Sequence, residues 1–240
     1  MGNTLVYDSS KLIYEAGQGL IYADSTGNCK CCDCRKDLTF SDDFNDGIDP
    51  GWDFVDTKLT TVSNRMTPNG AVVGQSIQAR KFVATKSLDI MRCKCAIYRF
   101  DDPLIIFPQP SFVETISLGL GLGGLGYSVW RRWGFSSDGM GGGTAFDEYH
   151  LRYGAFTSLK ILTVTPANGD TWELVYDHAD ATPNCKFYLN GVLDHTDTTY
   201  SPLSTTDICD SEAAVSWTGL SLGQKVWGAI DDFSCSVTKV

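Results

Sequence analysis

From Phe40 to the C-terminus, apolar and polar residues alternate in short runs, broken by turn formers such as Asp46-Gly47, Asp49-Pro50-Gly51 and Asn190-Gly191. A repeat of two is what a strand shows when one face lies on a core and the other in water. On that basis strands are predicted over residues 39–45, 52–56, 71–80, 87–100, 112–122, 126–134, 147–153, 159–165, 170–177, 185–190, 213–222 and 226–238. So many strands with breaks of hairpin length describe an all-β chain, folded as a two-sheet antiparallel jelly-roll sandwich. Long Ala/Glu/Lys/Leu stretches with helical period are scarce.

The first residues follow another rule. Leu5-Val6-Tyr7, Leu12-Ile13-Tyr14 and Leu20-Ile21-Tyr22 recur at spacings of seven and eight, with turn formers such as Ala16-Gly17-Gln18-Gly19 between them. Each unit reads as a short strand and a turn, too small to bury an apolar face alone. It must stack on its neighbours, on the main domain or on another chain, and docking on a partner chain is the expectation. Cys29, Cys31, Cys32 and Cys34 follow within six residues. The change of pattern places a boundary at residue 38: a repeat arm over 1–38 and a sandwich over 39–240.

Composition and charge then remove whole classes of function. The formal net charge is −10, and no Lys/Arg cluster exceeds the pairs Arg35-Lys36, Arg80-Lys81 and Arg131-Arg132. A nucleic-acid partner needs a basic stripe, so none is expected. No apolar run approaches the roughly 20 residues of a membrane span, so no membrane partner is expected. The first residues lack the basic and apolar regions of a secretory signal. Val6 stands where N-myristoylation at Gly2 would want Ser or Thr.

Two stretches carry a family likeness. Trp172-Glu-Leu-Val-Tyr-Asp177 followed by Cys185-Lys-Phe-Tyr-Leu-Asn-Gly-Val192 resembles the hallmark of laminin-G-like, concanavalin A-like jelly rolls. Asn190-Gly191 suits the positive φ that a type I′ hairpin requires. Gly228-Ala-Ile-Asp-Asp-Phe233 is similar to the family's closing strand, which commonly pairs beside the opening strand, here Phe40–Asn45. That pairing would bring Asp42 and Asp43 towards Asp231 and Asp232, and the resemblance implies a structural Ca²⁺ there. Some relatives are glycosidases with a Glu-x-Asp-x-x-Glu strand. This chain has no such run, and Asp147-Glu148 are adjacent, so a strand points them to opposite faces. His150, His178 and His195 lack ligand spacing, and no Gly-x-Ser-x-Gly elbow occurs. No enzyme is expected.

The run Gly119–Gly126 lacks the Lys-Ser/Thr of a phosphate loop. Leu118, Leu120 and Leu122 alternate with Gly119, Gly121 and Gly123, which reads as a strand with one apolar face and one bare face. A bare face admits a ligand, and Tyr127, Trp130, Arg131 and Trp133 nearby are the expected glycan-binding residues. The chain has nine cysteines. The cluster Cys29, Cys31, Cys32 and Cys34 is expected to bond with Cys93, Cys95, other cysteines or a neighbouring subunit; the rivals are zinc on a mixed site with Cys93 and Cys95, and free thiols.

A family that works outside cells, in a chain without an export signal, points to a virion released by lysis. The expected role is a non-catalytic virion-associated structural or decoration protein of phage type. Its arm would anchor on other virion subunits or on further copies of itself, and its sandwich would face cell-surface glycans from the virion surface or as an extracellular product. The alternatives are a free carbohydrate-binding module or lectin and, behind it, a glycoside hydrolase of the same fold.

Overall fold

The computed structural model describes residues 5–7, 10–15, 19–23, 29–31, 38–69, 76–85, 90–100, 112–122, 125–138, 143–154, 157–177, 184–199, 208–219 and 228–238. Among these residues every regular element is a strand. Residues 1–38 hold β1 (Leu5–Tyr7), β2 (Ser10–Glu15), β3 (Gly19–Ala23) and β4 (Cys29–Cys31), an antiparallel sheet in chain order. The three Leu-x-Tyr units are its first three strands, and register places Leu5 opposite Leu12 and Leu12 opposite Tyr22.

The main domain opens with β5 (Leu38–Asp42), β6 (Phe54–Val55), β7 (Leu59–Val62), β8 (Arg65–Pro68) and β9 (Ser76–Thr85). It continues through β10 (Ile90–Arg99), β11 (Phe112–Leu122), β12 (Leu125–Ser137), β13 (Gly143–Tyr153) and β14 (Thr157–Ile161). It ends with β15 (Asp170–Asp177), β16 (Asn184–Leu189), β17 (Val192–Asp197), β18 (Ile208–Gly219) and β19 (Gly228–Thr238).

These strands make two antiparallel sheets. The eight-stranded one runs β17-β16-β15-β10-β19-β8-β7, with β5 also paired to β19; the seven-stranded one runs β14-β13-β12-β11-β18-β9-β6. Alternate residues of each sheet turn inward and form one core, with Trp172, Trp217, Tyr127, Tyr149, Phe187 and Phe233 among its largest side chains. The opening and closing strands do lie side by side: Phe40 faces Cys235 and Asp42 faces Phe233.

Turn chemistry sets the registers. Asn190 (φ 52°) and Gly191 (φ 78°) close the β16–β17 hairpin with both turn residues left-handed, as a type I′ turn demands. Asn190 is held there: its amide nitrogen donates to Asp170 Oδ1 at 2.9 Å, and its amide oxygen accepts Thr171 N–H at 2.8 Å. The β7–β8 hairpin uses Ser63 (φ 52°) and Asn64 (φ 59°) in the same way, with Val62 facing Arg65. The hydrophobic pattern passes over β7, β8 and β17, because these short or edge strands carry little apolar alternation.

Two buried tyrosines tie the sheets together. Tyr127 of β12 donates to Asp197 of β17 at 2.7 Å, and Tyr149 of β13 donates to Asp170 of β15 at 3.0 Å. Burial and the neighbouring carboxylate push both phenols well above their usual pKa. Asp42 pins the loop after β5: its carboxylate accepts Phe44 N–H at 2.9 Å, Asp49 N–H at 2.9 Å and the Trp52 indole N–H at 2.7 Å. Trp52 is thereby laid on Phe233, ring centroids 4.4 Å apart.

Candidate functional site

Cross-strand partners in an antiparallel sheet share a face, so the registers say what stands on the outside of the seven-stranded sheet. One row across β9, β18, β11, β12 and β13 reads Gln78, Ser216, Ser117, Trp130, His150. The next reads Arg80, Ala214, Gly119, Ser128, Arg152, and a third begins Glu212, Gly121, Gly126. Residues one step along each strand, Ala79, Val215, Leu118, Val129 and Leu151, point into the core and are fully buried.

Small residues in the middle of these rows leave a groove of about 230 Å³, with Gln78 and Glu212 at one end and Trp130 and Gly154 at the other. Its floor is glycine, alanine and serine. Ser117 and Ser216 hydroxyls bond each other at 2.6 Å. Gly126 has to be glycine, because a Cβ there would meet the Leu120 carbonyl oxygen at 2.5 Å. Gly119 differs: an added Cβ would find its nearest neighbour at 3.7 Å, an ordinary contact, so a side chain is tolerated there.

The ends of the groove are polar. Trp130 is half-buried; its indole N–H donates to Ser128 Oγ at 2.8 Å, and the Arg152 guanidinium lies 4.1 Å from the centroid of an indole ring. Beside it, His150 Nε2 lies 2.7 Å from Glu148 and 3.3 Å from an Arg132 nitrogen. At the far end Arg80 reaches Glu212 at 3.4 Å and covers the Phe54 ring at 4.6 Å. Partial burial and the nearby Arg132 charge lower the Arg152 pKa from its ordinary value.

Of the four residues expected to bind glycan, only Trp130 faces this groove with its side chain on the open side. Tyr127, Arg131 and Trp133 differ from it by odd steps along β12, so they turn inward and are buried. Tyr127 packs on Tyr176, and buried Arg131 pairs with half-buried Asp147. Its Nε and Nη2 donate to the two oxygens of Asp147 at 3.1 and 3.0 Å, and its Nη1 reaches the Ala167 carbonyl and Asn168 Oδ1, both at 3.1 Å. The residues that the sequence reading missed are Gln78, Ser117, Ser216, Glu212 and Arg152. They come from strands far apart in the chain, and only the pairing of β9, β18, β11, β12 and β13 assembles them.

Of the four aspartates expected to hold Ca²⁺, Asp42, Asp43 and Asp232 line one pocket together with Asp46 and Asp49, and Asp231 is not part of that lining. Asp42 is committed to its three donors, Asp43 bonds Asn45 at 2.7 Å, and Asp231 lies 3.4 Å from Arg65. Asp232, with φ 48°, sits at the irregularity where β19 shifts register on β10. Among the described residues no three His, Cys, Asp or Glu side chains form a group able to hold a metal ion.

Cys93 and Cys95 do share a strand face, but it is the core face. Both are free thiols with no exposed surface, as is Cys185, and Cys235 is nearly as buried. Cys29 and Cys31 stand on β4; Cys32, Cys34 and His178 lie outside the described residues. His195 packs near the Phe187 ring, centroids 6.0 Å apart.

Two antiparallel sheets, a closing strand beside the opening one and an open outer face define the class: this is a concanavalin A-like jelly roll, the fold of the legume lectins. A Lotus tetragonolobus seed lectin is similar at TM-score 0.54 and 11% identity, over 85% of this chain and 99% of the lectin. A winged bean acidic lectin, solved with methyl-alpha-D-galactose, is similar at TM-score 0.53 and 12% identity, over 85% and 99%. Peanut lectin, solved with a nine-residue peptide, gives 0.51 and 12% over the same shares. No family model matches the sequence, and no curated protein matches it. At these identities the likeness establishes the fold; the ligand has to be argued from this chain's own residues.

Proposed function

We propose that this chain is a non-catalytic saccharide-binding protein whose sandwich is carried on a larger assembly, a virion of phage type, by its N-terminal arm. The observation that carries the saccharide reading is the groove on the outer face of the seven-stranded sheet. An indole at one end, a flat floor of glycine and serine, and Gln78 and Glu212 at the other end match the chemistry of a sugar. A pyranose offers apolar C–H faces to an aromatic ring and hydroxyls to amides and carboxylates. The winged bean acidic lectin of similar fold, solved with methyl-alpha-D-galactose, adds support.

The carboxylates support the non-catalytic reading. Glycoside hydrolysis needs two, flanking the bond at about 5–5.5 Å or 6.5–9.5 Å. Among the described residues lining the groove, Glu212 is the one carboxylate, and Arg80 is paired with it. The anchoring role rests on the arm's short apolar strands β1–β3 and the Cys29–Cys34 run beside them.

The test is a glycan array and titration on the full chain, with Trp130→Ala and Gly119→Leu as variants. Both positions face outward, away from the core, so both variants should fold. Each should bind its best glycan at least about tenfold more weakly, the order of one lost aromatic contact. Full affinity in both variants would refute the groove as the site. A chain lacking residues 1–34 should still bind glycan and fail to incorporate into its assembly; full incorporation would remove the anchoring role.

A further inference from the structure

We infer that Cys93 and Cys235 are partners for a disulfide, which staples the closing strand β19 to the middle of the eight-stranded sheet when the chain folds in an oxidising medium. The register sets the two residues directly opposite each other on β10 and β19. Both point into the core, Cys93 fully and Cys235 almost fully buried, and both are free thiols in this structure. Burial raises the Cys93 pKa, and the neighbouring Cys95, Cys235 and Cys185 add to the rise, so these sulfurs stand within electrostatic reach of one another.

Strand pairing decides whether two sulfurs can meet. Asn190 N–H donates to the Thr171 carbonyl at 2.8 Å, so Thr171 turns its backbone polar groups towards β16. Successive residues of a strand turn these groups to opposite sides, so Leu174 turns its own towards β10. Leu174 faces Cys93 there, and the two exchange backbone hydrogen bonds. Cys93 is thereby committed to β15, and on its other side Cys93 and Cys235 form a non-hydrogen-bonded pair. In such a pair the Cα atoms are about 4.5 Å apart and the side chains are at their closest. That separation lies inside the roughly 4.4–6.8 Å that a disulfide accepts.

No other described thiol has such a partner. Cys95 faces Trp172 on one side, and on the other it falls in the register shift between Lys94 and Ala96. Cys185 faces Tyr176 and Asp197, with the whole of β15 between it and β10. Two strand spacings, about 9.5 Å, exceed the reach of the bond. What Cys93 gives up is one weak contact, its thiol to the Gly119 carbonyl oxygen at 3.6 Å.

The oxidant is a small-molecule disulfide such as oxidised glutathione. One cysteine thiolate attacks a sulfur of it, forming a mixed disulfide and releasing one thiol. The second cysteine attacks that mixed disulfide, closing the Cys93–Cys235 bond and releasing the second thiol. The two cysteines lose two electrons and two protons, which the two released thiols carry away. Cys235 reacts first, because it is the less buried; desolvation raises its pKa, and the Lys81 charge works against that rise. Both sulfurs are covered once the sheets close on the core, so the exchange takes place while β19 is docking.

The experiment refolds the full chain from urea in mixtures of oxidised and reduced glutathione, alkylates the remaining thiols and maps the unreduced peptides by mass spectrometry. A linked pair carrying Cys93 and Cys235 should appear and should split on reduction. The oxidised protein should melt at least about 5 °C above the reduced one. Cys93→Ala and Cys235→Ser should each lose that rise, and Cys185→Ala should keep it. Where a variant fails to fold, the peptide map of the parent chain still decides. Recovery of both cysteines fully alkylated at every glutathione ratio overturns the pairing, as does a link from either one to a different cysteine. A Cys93–Cys235 link without the rise in melting temperature overturns the staple.

Discussion

Raising the pH should unfold this protein through its core thiols. Cys93, Cys95, Cys185 and Cys235 are free and buried, and desolvation raises the pKa of each; that of Cys235 is pushed up to about 12. In the unfolded chain a thiol ionises near pH 8.5. A group whose folded pKa is raised contributes stability that is whole below the unfolded value and is lost as pH climbs towards the folded one. The window therefore opens at about pH 8.5 and closes, for Cys235, at about 12. At pH 9.5 each thiol is one unit past its unfolded pKa and still protonated in the folded chain, a loss of roughly 1–1.5 kcal/mol. The four together amount to roughly 5 kcal/mol, comparable with the whole stability of many domains. Tyr127 and Tyr149 act in the same direction, but their unfolded pKa near 10 makes them minor at that pH. Urea unfolding in excess reductant, followed by fluorescence of the six tryptophans, measures the drop between pH 7 and pH 9.5. Cys93→Ala lowers stability at pH 7 by opening a small cavity, yet its drop should be smaller than wild type by roughly 1–1.5 kcal/mol. An unchanged drop in that variant, or no drop in the parent, refutes the reasoning.

Two further predictions bear on residues that look functional in the sequence and are structural in the fold. Arg131→Met removes the bidentate partner of half-buried Asp147, which keeps Arg99, and should destabilise by about 1.5–3 kcal/mol in urea. Glycan affinity measured well below the melting temperature should stay within about twofold, a shift smaller than one contact produces; a larger loss would return Arg131 to the site. Asp42→Ala strands two backbone N–H groups and the Trp52 indole N–H. It should cost at least about 2–3 kcal/mol, whether or not Ca²⁺ is added, and rescue of the wild-type protein by EDTA-reversible Ca²⁺ would contradict that account.

The sandwich was readable from the sequence because its signals are local. Alternation marks the long strands, Asn190-Gly191 marks a hairpin, and the Gly119–Gly123 run shows a bare face by its parity with Leu118 and Leu120. The same parity rule, carried along β12, separates Trp130 from Tyr127, Arg131 and Trp133; grouping aromatic and basic residues by nearness in sequence mixes two faces of one strand. The groove itself was not readable. Gln78, Ser117, Trp130 and Ser216 become neighbours through long-range pairing, and no spacing within the chain encodes which strand lies beside which. The thiols failed in another way. Their nearness in type to the Cys29–Cys34 run suggested bonding, whereas Cys93 and Cys95 are spaced for a core face, where cysteine serves as a small apolar side chain.

The pairing of β5 with β19 has a mechanical consequence. Leu38 and Val237 face each other, so the two ends of the sandwich emerge side by side at one pole. A force drawn between those ends acts across the first rung of the β5–β19 ladder and parts it bond by bond, as a zip opens. Tension applied through one end alone and resisted on the other sheet crosses the packed core before it reaches that ladder.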